Sequence, residues 1–290
     1  MARIALYLLT NLAILAMAAV VIQVTGLDGW LTAHRVSWPS LLGFSAVIGF
    51  FGSTVSLLLS KPVARWSTGA VVVTGHEDAA SRWLVDTVRR LSYSAGIGYP
   101  EVAVYPGPPN AFATGAHRDH ALVAVSSGLL ASMPRAEVEA VLAHEIGHVA
   151  SGDMVTLSLL QGVLNTFVIF ASRVIGSLVD SRNGETHRRE GTGYFITVFA
   201  AQATLGLLAS VIVAWFSRQR EFRADAASAR LIGGSQPMIA ALTRLQQGGV
   251  GGLPPQLAAF GIGAPAGWLR WFASHPPLEE RIDRLMRHEG

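Results

Sequence analysis

His144 and His148 stand four residues apart in the stretch VLAHEIGHVASGDM, with Glu145 between them. On a helix that separation is about one turn, so both imidazoles leave the same face and can fill two sites of one tetrahedral metal ion. The chain has no cysteine, which excludes thiolate ligands and disulfides and leaves histidine and carboxylate to hold any metal. Beside the pair, the Glu145 carboxylate can hold a water and accept its proton, the division of labour of the HExxH metalloprotease motif. A chance HExxH in a chain of this length is on the order of one in a hundred, so its surroundings decide.

Such a site needs a third protein ligand and an open fourth position. Glu221, in REFRAD, is the best candidate: it falls on a predicted helix, and Asp225 one turn later is placed to accept a hydrogen bond from a ligating histidine. Were REFRAD to stand alone, a surface pairing of Glu221 with Arg218 or Arg220 would be the preferred reading; with HEIGH upstream, Glu221 reads as a ligand. The HEIGH helix also carries Val138, Val141, Leu142 and Val149, an apolar face expected to bury one side and turn the polar set towards a cleft.

The elements that must position these residues are unusually apolar. With 51% hydrophobic and 14% charged residues among 290, the chain falls in the membrane class. Four stretches approach the roughly 20 apolar residues needed to cross a bilayer: Ile4 to Val24, Leu41 to Leu59, Val155 to Val179 and Tyr194 to Phe216. The first, after Arg3, also has the look of a signal peptide, but its run continues unbroken to Val24, longer than a usual signal core, and favours an uncleaved span. In the third, Gln161, Asn165 and Arg173 are costly against lipid and are expected to face other helices or the interface; a partial crossing is the alternative.

The expected organisation is therefore a transmembrane hairpin (1–60), a first catalytic part with the HEIGH helix (61–154), a second hairpin (155–216) and a second catalytic part with the third ligand (217–290). Lysines and arginines near the span ends number seven on the polar-domain side (Arg3, Lys61, Arg65, Arg218, Arg220, Arg223, Arg230) against four opposite (Arg35, Arg182, Arg188, Arg189). The positive-inside rule then places the polar parts and both termini in the cytoplasm. A net charge of +3 with scattered arginines gives no nucleic-acid footprint.

Within the polar parts, Asp78 is placed to cap a helix carrying Leu84, Val85, Val88 and Leu91, which ends near Gly96. Glu101 to Tyr105 reads as a strand, and NAFATG and ALVAVSS as two strands joined by a turn at Ala116 to His120. Pro134 opens the helix that continues from Arg135 to Ala150. A helix from Arg218 to Leu231, a glycine- and proline-rich loop from Gln246 to Gly267 and a last helix from Leu278 to His288 complete the chain; the loop is a candidate gate.

Taken together, HEIGHVASGDMVTLSLLQGVLNTFVIFASR, WFSRQREFRADAASARLIG, NAFATG and SHPPLEERI resemble the HtpX family of bacterial membrane zinc metalloproteases, related to the CAAX-prenyl proteases. The resemblance covers nearly the whole chain. It implies a gluzincin-type catalytic domain facing the cytoplasm, one Zn2+ per chain on His144, His148 and Glu221, Glu145 as the base, and a role in quality control of membrane proteins under heat or envelope stress. Asn110, Ala111 and Phe112 resemble the edge-strand signature by which gluzincins hold substrate backbone; a turn asparagine opening a hairpin is the alternative. His275 reads either as a donor to the developing oxyanion or as a loop histidine before two prolines, and Arg281 as a structural anchor through an ion pair. His76, His117, His120 and His187 lack partners at ligand spacing and read as surface residues; Trp268 and Trp271 mark either a lipid or substrate interface or core packing.

The expectation is an α-helical integral membrane protein with four transmembrane helices and an α+β zincin-like domain split by the second hairpin. Its function would be zinc-dependent cleavage of membrane-protein and unfolded polypeptide substrates at the bacterial inner membrane. A non-proteolytic zinc scaffold or transporter and a prenyl-peptide protease are the alternatives.

Overall fold

The computed structural model describes residues 37–182, 192–247 and 275–287. In chain order the elements are α1 (Trp38–Thr68), β1 (Val71–Val73), α2 (Ala79–Ser94), β2 (Glu101–Tyr105), β3 (Ala111–Thr114), a 3-10 turn (Arg118–His120), β4 (Leu122–Ser126), α3 (Ser127–Ser132), α4 (Arg135–Ser151), α5 (Asp153–Arg182), α6 (Thr192–Ile232), α7 (Gln236–Gln247) and α8 (Leu278–Arg287). Among the described residues three helices are long and apolar enough to cross a membrane: Trp38–Thr68, Asp153–Val179 and Gly193–Ile232. The expected span from Ile4 to Val24 lies outside the described residues, as do His187, Trp268, Trp271 and all but the start of the loop from Gln246.

The described residues fall into two compact units, one taking in those up to Val55 with Ser158–Ser210, the other Ser56–Leu157 with those from Val211 onward. In the first, α1 and α5 meet almost backbone to backbone. A Cβ on Gly49 would sit 2.6 Å from Thr166 Oγ1 and 2.9 Å from the Gly162 carbonyl oxygen. Ser158 Oγ donates to the Ser53 carbonyl at 2.8 Å, so small and hydroxyl side chains supply the close approach that apolar bulk cannot. Arg173 lies over the Phe44 ring at 4.6 Å, whereas Gln161 and Asn165 are exposed instead of facing the neighbouring described helices.

The second unit is built on a four-stranded sheet of order β1-β2-β4-β3. β3 pairs antiparallel with β4 across the expected turn, β2 runs parallel to β4, and β1 pairs antiparallel with β2. One face packs Val102, Val123 and Val125 against Leu84, Val88 and Leu91 of α2 and Leu142, Ile146 and Val149 of α4. The other packs Ala103, Tyr105, Phe112, Leu122 and Ala124 against Ala64 of α1 and Ala70. β4 is buried at every position, which explains its continuous apolar run. α7 and α8 close the unit through Met238, Leu242 and Leu285 against Ala140.

Three boundaries depart from expectation. The helix that carries span two does not stop at Leu59: α1 continues through Lys61 and Pro62 to Thr68, because Lys61 Nζ is held 2.8 Å from Glu101 Oε1 and Ala64 packs on the sheet. The fourth span and the REFRAD helix form one uninterrupted helix of 41 residues. And α4 does not bury one face alone, since the sheet, α2 and α7 leave ten of its residues buried, His144 and Glu137 among them.

Candidate functional site

α4 sets the first two groups. Its pitch brings His144 and His148 together, with their Nε2 atoms 3.1 Å apart and their rings edge to face. α6 passes beside it and places Glu221, 1% exposed, with Oε1 3.2 Å from His148 Nε2 and Oε2 3.6 Å from His144 Nε2. The close pass depends on Gly147, where a Cβ would meet that of Ala227 at 3.0 Å.

Each imidazole is turned by a carboxylate on its outer nitrogen. His144 Nδ1 lies 2.9 Å from Asp225 Oδ1, and His148 Nδ1 donates to Asp153 Oδ2 at 2.7 Å. With the outer nitrogens protonated, both Nε2 lone pairs and the Glu221 carboxylate point at one another. Three acceptors facing inward require a positive charge among them. Burial opposes charging His148, but the Glu221 and Asp153 carboxylates outweigh it and push its pKa up to about 10.

The spacing fits a metal ion. Ligand atoms of His144, His148 and Glu221 all lie within 4.8 Å of one another, with 3.1 Å between the two Nε2 atoms and 3.2 and 3.6 Å from them to the two Glu221 oxygens, near the roughly 3.4 Å between ligands of a tetrahedral site with bonds near 2.1 Å.

Around this centre, Arg281 is 2% exposed and donates from Nε and Nη2 to Asp225 at 2.8 and 2.6 Å. It also stands 3.6 Å from Glu221 Oε2, so one guanidinium faces both carboxylates of α6. His275 Nδ1 donates to Glu221 Oε2 at 2.8 Å. Glu145, half-buried on α4, is not among the groups bonded to this cluster. Asn110, Ala111 and Phe112 lie at the start of β3, an edge strand paired only with β4 among the described residues, and all three are buried. His76, His117 and His120 are exposed.

Sequence reasoning missed Asp153. Its signal was local: Gly152, with φ 66°, ends α4 in the left-handed region and starts α5 at the very next residue.

A model of peptidase family M48 matches residues 78–289. The chain belongs to peptidase family M48. It is 54% identical over 288 residues to a protease HtpX homologue of Janthinobacterium sp. (strain Marseille), covering 98% of this chain and 99% of that one. It is 54% identical over 287 residues to a protease HtpX homologue of Bordetella pertussis, covering 98% of each. The crystal structure of S. mikatae Ste24p shares its fold, with a TM-score of 0.62 at 18% identity over 93% of this chain; the chain spans 66% of that one. With three apolar helices among its described residues, the M48 chain is a multi-pass membrane metalloprotease whose His144, His148 and Glu221 could hold the metal its family implies.

Proposed function

We propose that this M48 metalloprotease is a zinc endopeptidase of the bacterial cytoplasmic membrane, working from the cytoplasmic face on damaged or misfolded membrane proteins and unfolded polypeptides. The observation that carries the reading is the convergence of His144, His148 and Glu221, each histidine backed by its own carboxylate. Nitrogen and carboxylate donors without sulfur at tetrahedral spacing suit Zn2+, one per chain. The excess of lysine and arginine beside the 61–154 and 217–290 parts supports the cytoplasmic orientation. We take 1–60 and 155–216 as the membrane hairpins.

In this reading a zinc ion held by His144, His148 and Glu221 would supply Lewis acidity towards the scissile carbonyl and the attacking water. Glu145 takes the proton from that water and passes it to the leaving amine. Asp225 and Asp153 keep both Nε2 lone pairs aimed inward, and Arg281 holds Asp225 in place. The substrate lies extended along the edge of β3, adding a strand beside Asn110, Ala111 and Phe112. In the same reading His275, which contacts Glu221, donates to the oxyanion.

The test is zinc content together with cleavage of an unfolded reporter and a membrane-protein reporter, with Glu145→Gln and Glu221→Ala alongside. Wild type should bind one zinc and cut, Glu145→Gln should bind without cutting, and Glu221→Ala should lose the metal. Near-normal turnover by pure Glu145→Gln would overturn the base assignment; cleavage restricted to prenylated peptides would replace the substrate class.

A further inference from the structure

Among the described residues, Asn110 and Tyr105 each bury a polar atom that no well-formed hydrogen bond satisfies. Both residues are 5% exposed, yet the Tyr105 phenol oxygen and Asn110 Oδ1 have no hydrogen-bond partner. Buried polar atoms are nearly always paired, so two orphans together require a reason.

The sheet register brings them into one row. Tyr105 is opposite Ser126 across the parallel β2–β4 pair. On the far side of β4, Ser126 exchanges bonds with Asn110: Ser126 N donates to the Asn110 carbonyl at 2.9 Å, and Asn110 N donates to Ser126 Oγ at 3.0 Å. Residues paired across a sheet share a face, so Tyr105, Ser126 and Asn110 point the same way. The Tyr105 ring reaches along that row, resting against Phe112 with centroids 5.5 Å apart. Its phenol faces the Asn110 carboxamide, near enough to be influenced by it though short of a well-formed bond, and feels the field of Glu145. Burial first, then the Glu145 carboxylate, pushes the phenol pKa up, which keeps its proton in place as a donor.

Asn110 has both backbone groups committed to Ser126, so its carboxamide is the part left to meet a ligand. A carboxamide can flip, offering either its oxygen or its N–H groups, and only a partner decides which. We infer that Tyr105 is a positioning residue for substrate: its O–H engages Asn110 Oδ1 when a peptide is laid along β3, fixing the carboxamide so that its N–H groups meet a peptide carbonyl. The inference rests on the strand-edge reading of substrate binding given above. It makes the site selective for extended backbone rather than for a particular side chain, because the group presented is a donor to a main-chain carbonyl.

The test is steady-state cleavage of a quenched fluorogenic peptide spanning a site that wild type cuts in the unfolded reporter, with Tyr105→Phe, Asn110→Ala and the double variant. Tyr105→Phe keeps the ring on Phe112, and its zinc content and melting temperature verify that the fold is intact. Loss of one neutral hydrogen bond in binding should raise KM roughly five- to tenfold, with kcat changed less than about twofold. The double variant should be no worse in KM than Asn110→Ala, because the phenol acts through the carboxamide. An unchanged KM in Tyr105→Phe, a fall in kcat alone, or additive effects in the double variant would each overturn the inference. Failure of the underlying protease reading looks different: wild type would not cut the peptide, or Glu145→Gln would.

Discussion

Replacing Arg281 by methionine tests whether the C-terminal helix is held to the site by charge. The side chain is buried at 2% exposure, forms two bonds to Asp225 at 2.6 and 2.8 Å, and stands 3.6 Å from Glu221. With a divalent ion bound, Glu221, Asp225 and Asp153 would be matched by two positive charges from the ion and one from Arg281. Methionine fills most of the volume but leaves one carboxylate unmatched where water cannot reach it. Breaking a buried pair from one side costs about 3–5 kcal/mol, and for a unit of this size each kcal/mol moves the melting temperature by about 2–4 °C. The expected loss is therefore roughly 6–20 °C. The assay is thermal unfolding in detergent at a fixed scan rate, in a Glu145→Gln background so that unfolded molecules are not digested. Adding Asp225→Asn removes the stranded charge and should recover most of the loss. A melting temperature within about 2 °C of the parent for Arg281→Met, or no recovery in the double variant, would refute the charge argument and leave Leu285 and its apolar neighbours as the sole anchor of α8.

Asp153→Ala should weaken zinc binding about 10- to 100-fold by freeing the His148 ring, and Asp153→Asn, which still accepts the Nδ1 hydrogen, should lose less; chelator competition reads both, and an unchanged affinity in the alanine variant removes Asp153 from the site. Gly49→Ala should destabilise the membrane unit by about 1–3 kcal/mol, because its methyl would meet Thr166 and Gly162, whereas Gly52→Ala, with nothing within 4 Å, should melt as the parent does; equal effects would sink the close-packing account. Glu77 accepts from the Thr74 and Gly75 amides, and the Thr74 contact first among these holds its pKa down to about 2. Its carboxylate therefore stabilises the fold above its ordinary value of 4.5, and that contribution is lost as pH falls from there to about 2. Glu77→Gln should flatten the pH dependence of stability across that window, and an unchanged slope would show the contact to be idle.

Much of the second unit was legible because its cues are local. Leu84, Val88 and Leu91 share a helix face, the turn at Ala116 to His120 joins β3 to β4, and Leu278, Arg281, Ile282 and Leu285 line one side of α8. What stayed hidden depends on neighbours that no window contains. β1 is three valines with no alternation to read, and it is a strand because β2 offers its edge. The last turns of α1 looked like the start of a polar loop because Lys61 and Pro62 break the apolar run; the fold holds them helical through Glu101 and the underside of the sheet. Burial of His144 on a helix enclosed from several sides likewise follows from α7 and the sheet, which the amphipathic pattern of α4 alone does not announce.

The two carboxylates behind the histidines show where spacing arguments end. Asp225 follows Glu221 by one helical turn, so any helix that delivers Glu221 to the two histidines also delivers Asp225 to the same side, where it meets His144. Asp153 follows His148 by five residues, and on an unbroken helix it would be turned roughly 140° away from that ring. It reaches His148 because the chain does not continue as one helix. Gly152 takes φ 66°, α4 ends, and α5 begins at Asp153 with its carboxylate swung back to Nδ1 at 2.7 Å. A side chain with a Cβ would resist that left-handed step, so the same glycine that ends α4 and releases the chain into the next apolar helix also completes the orientation of the second histidine.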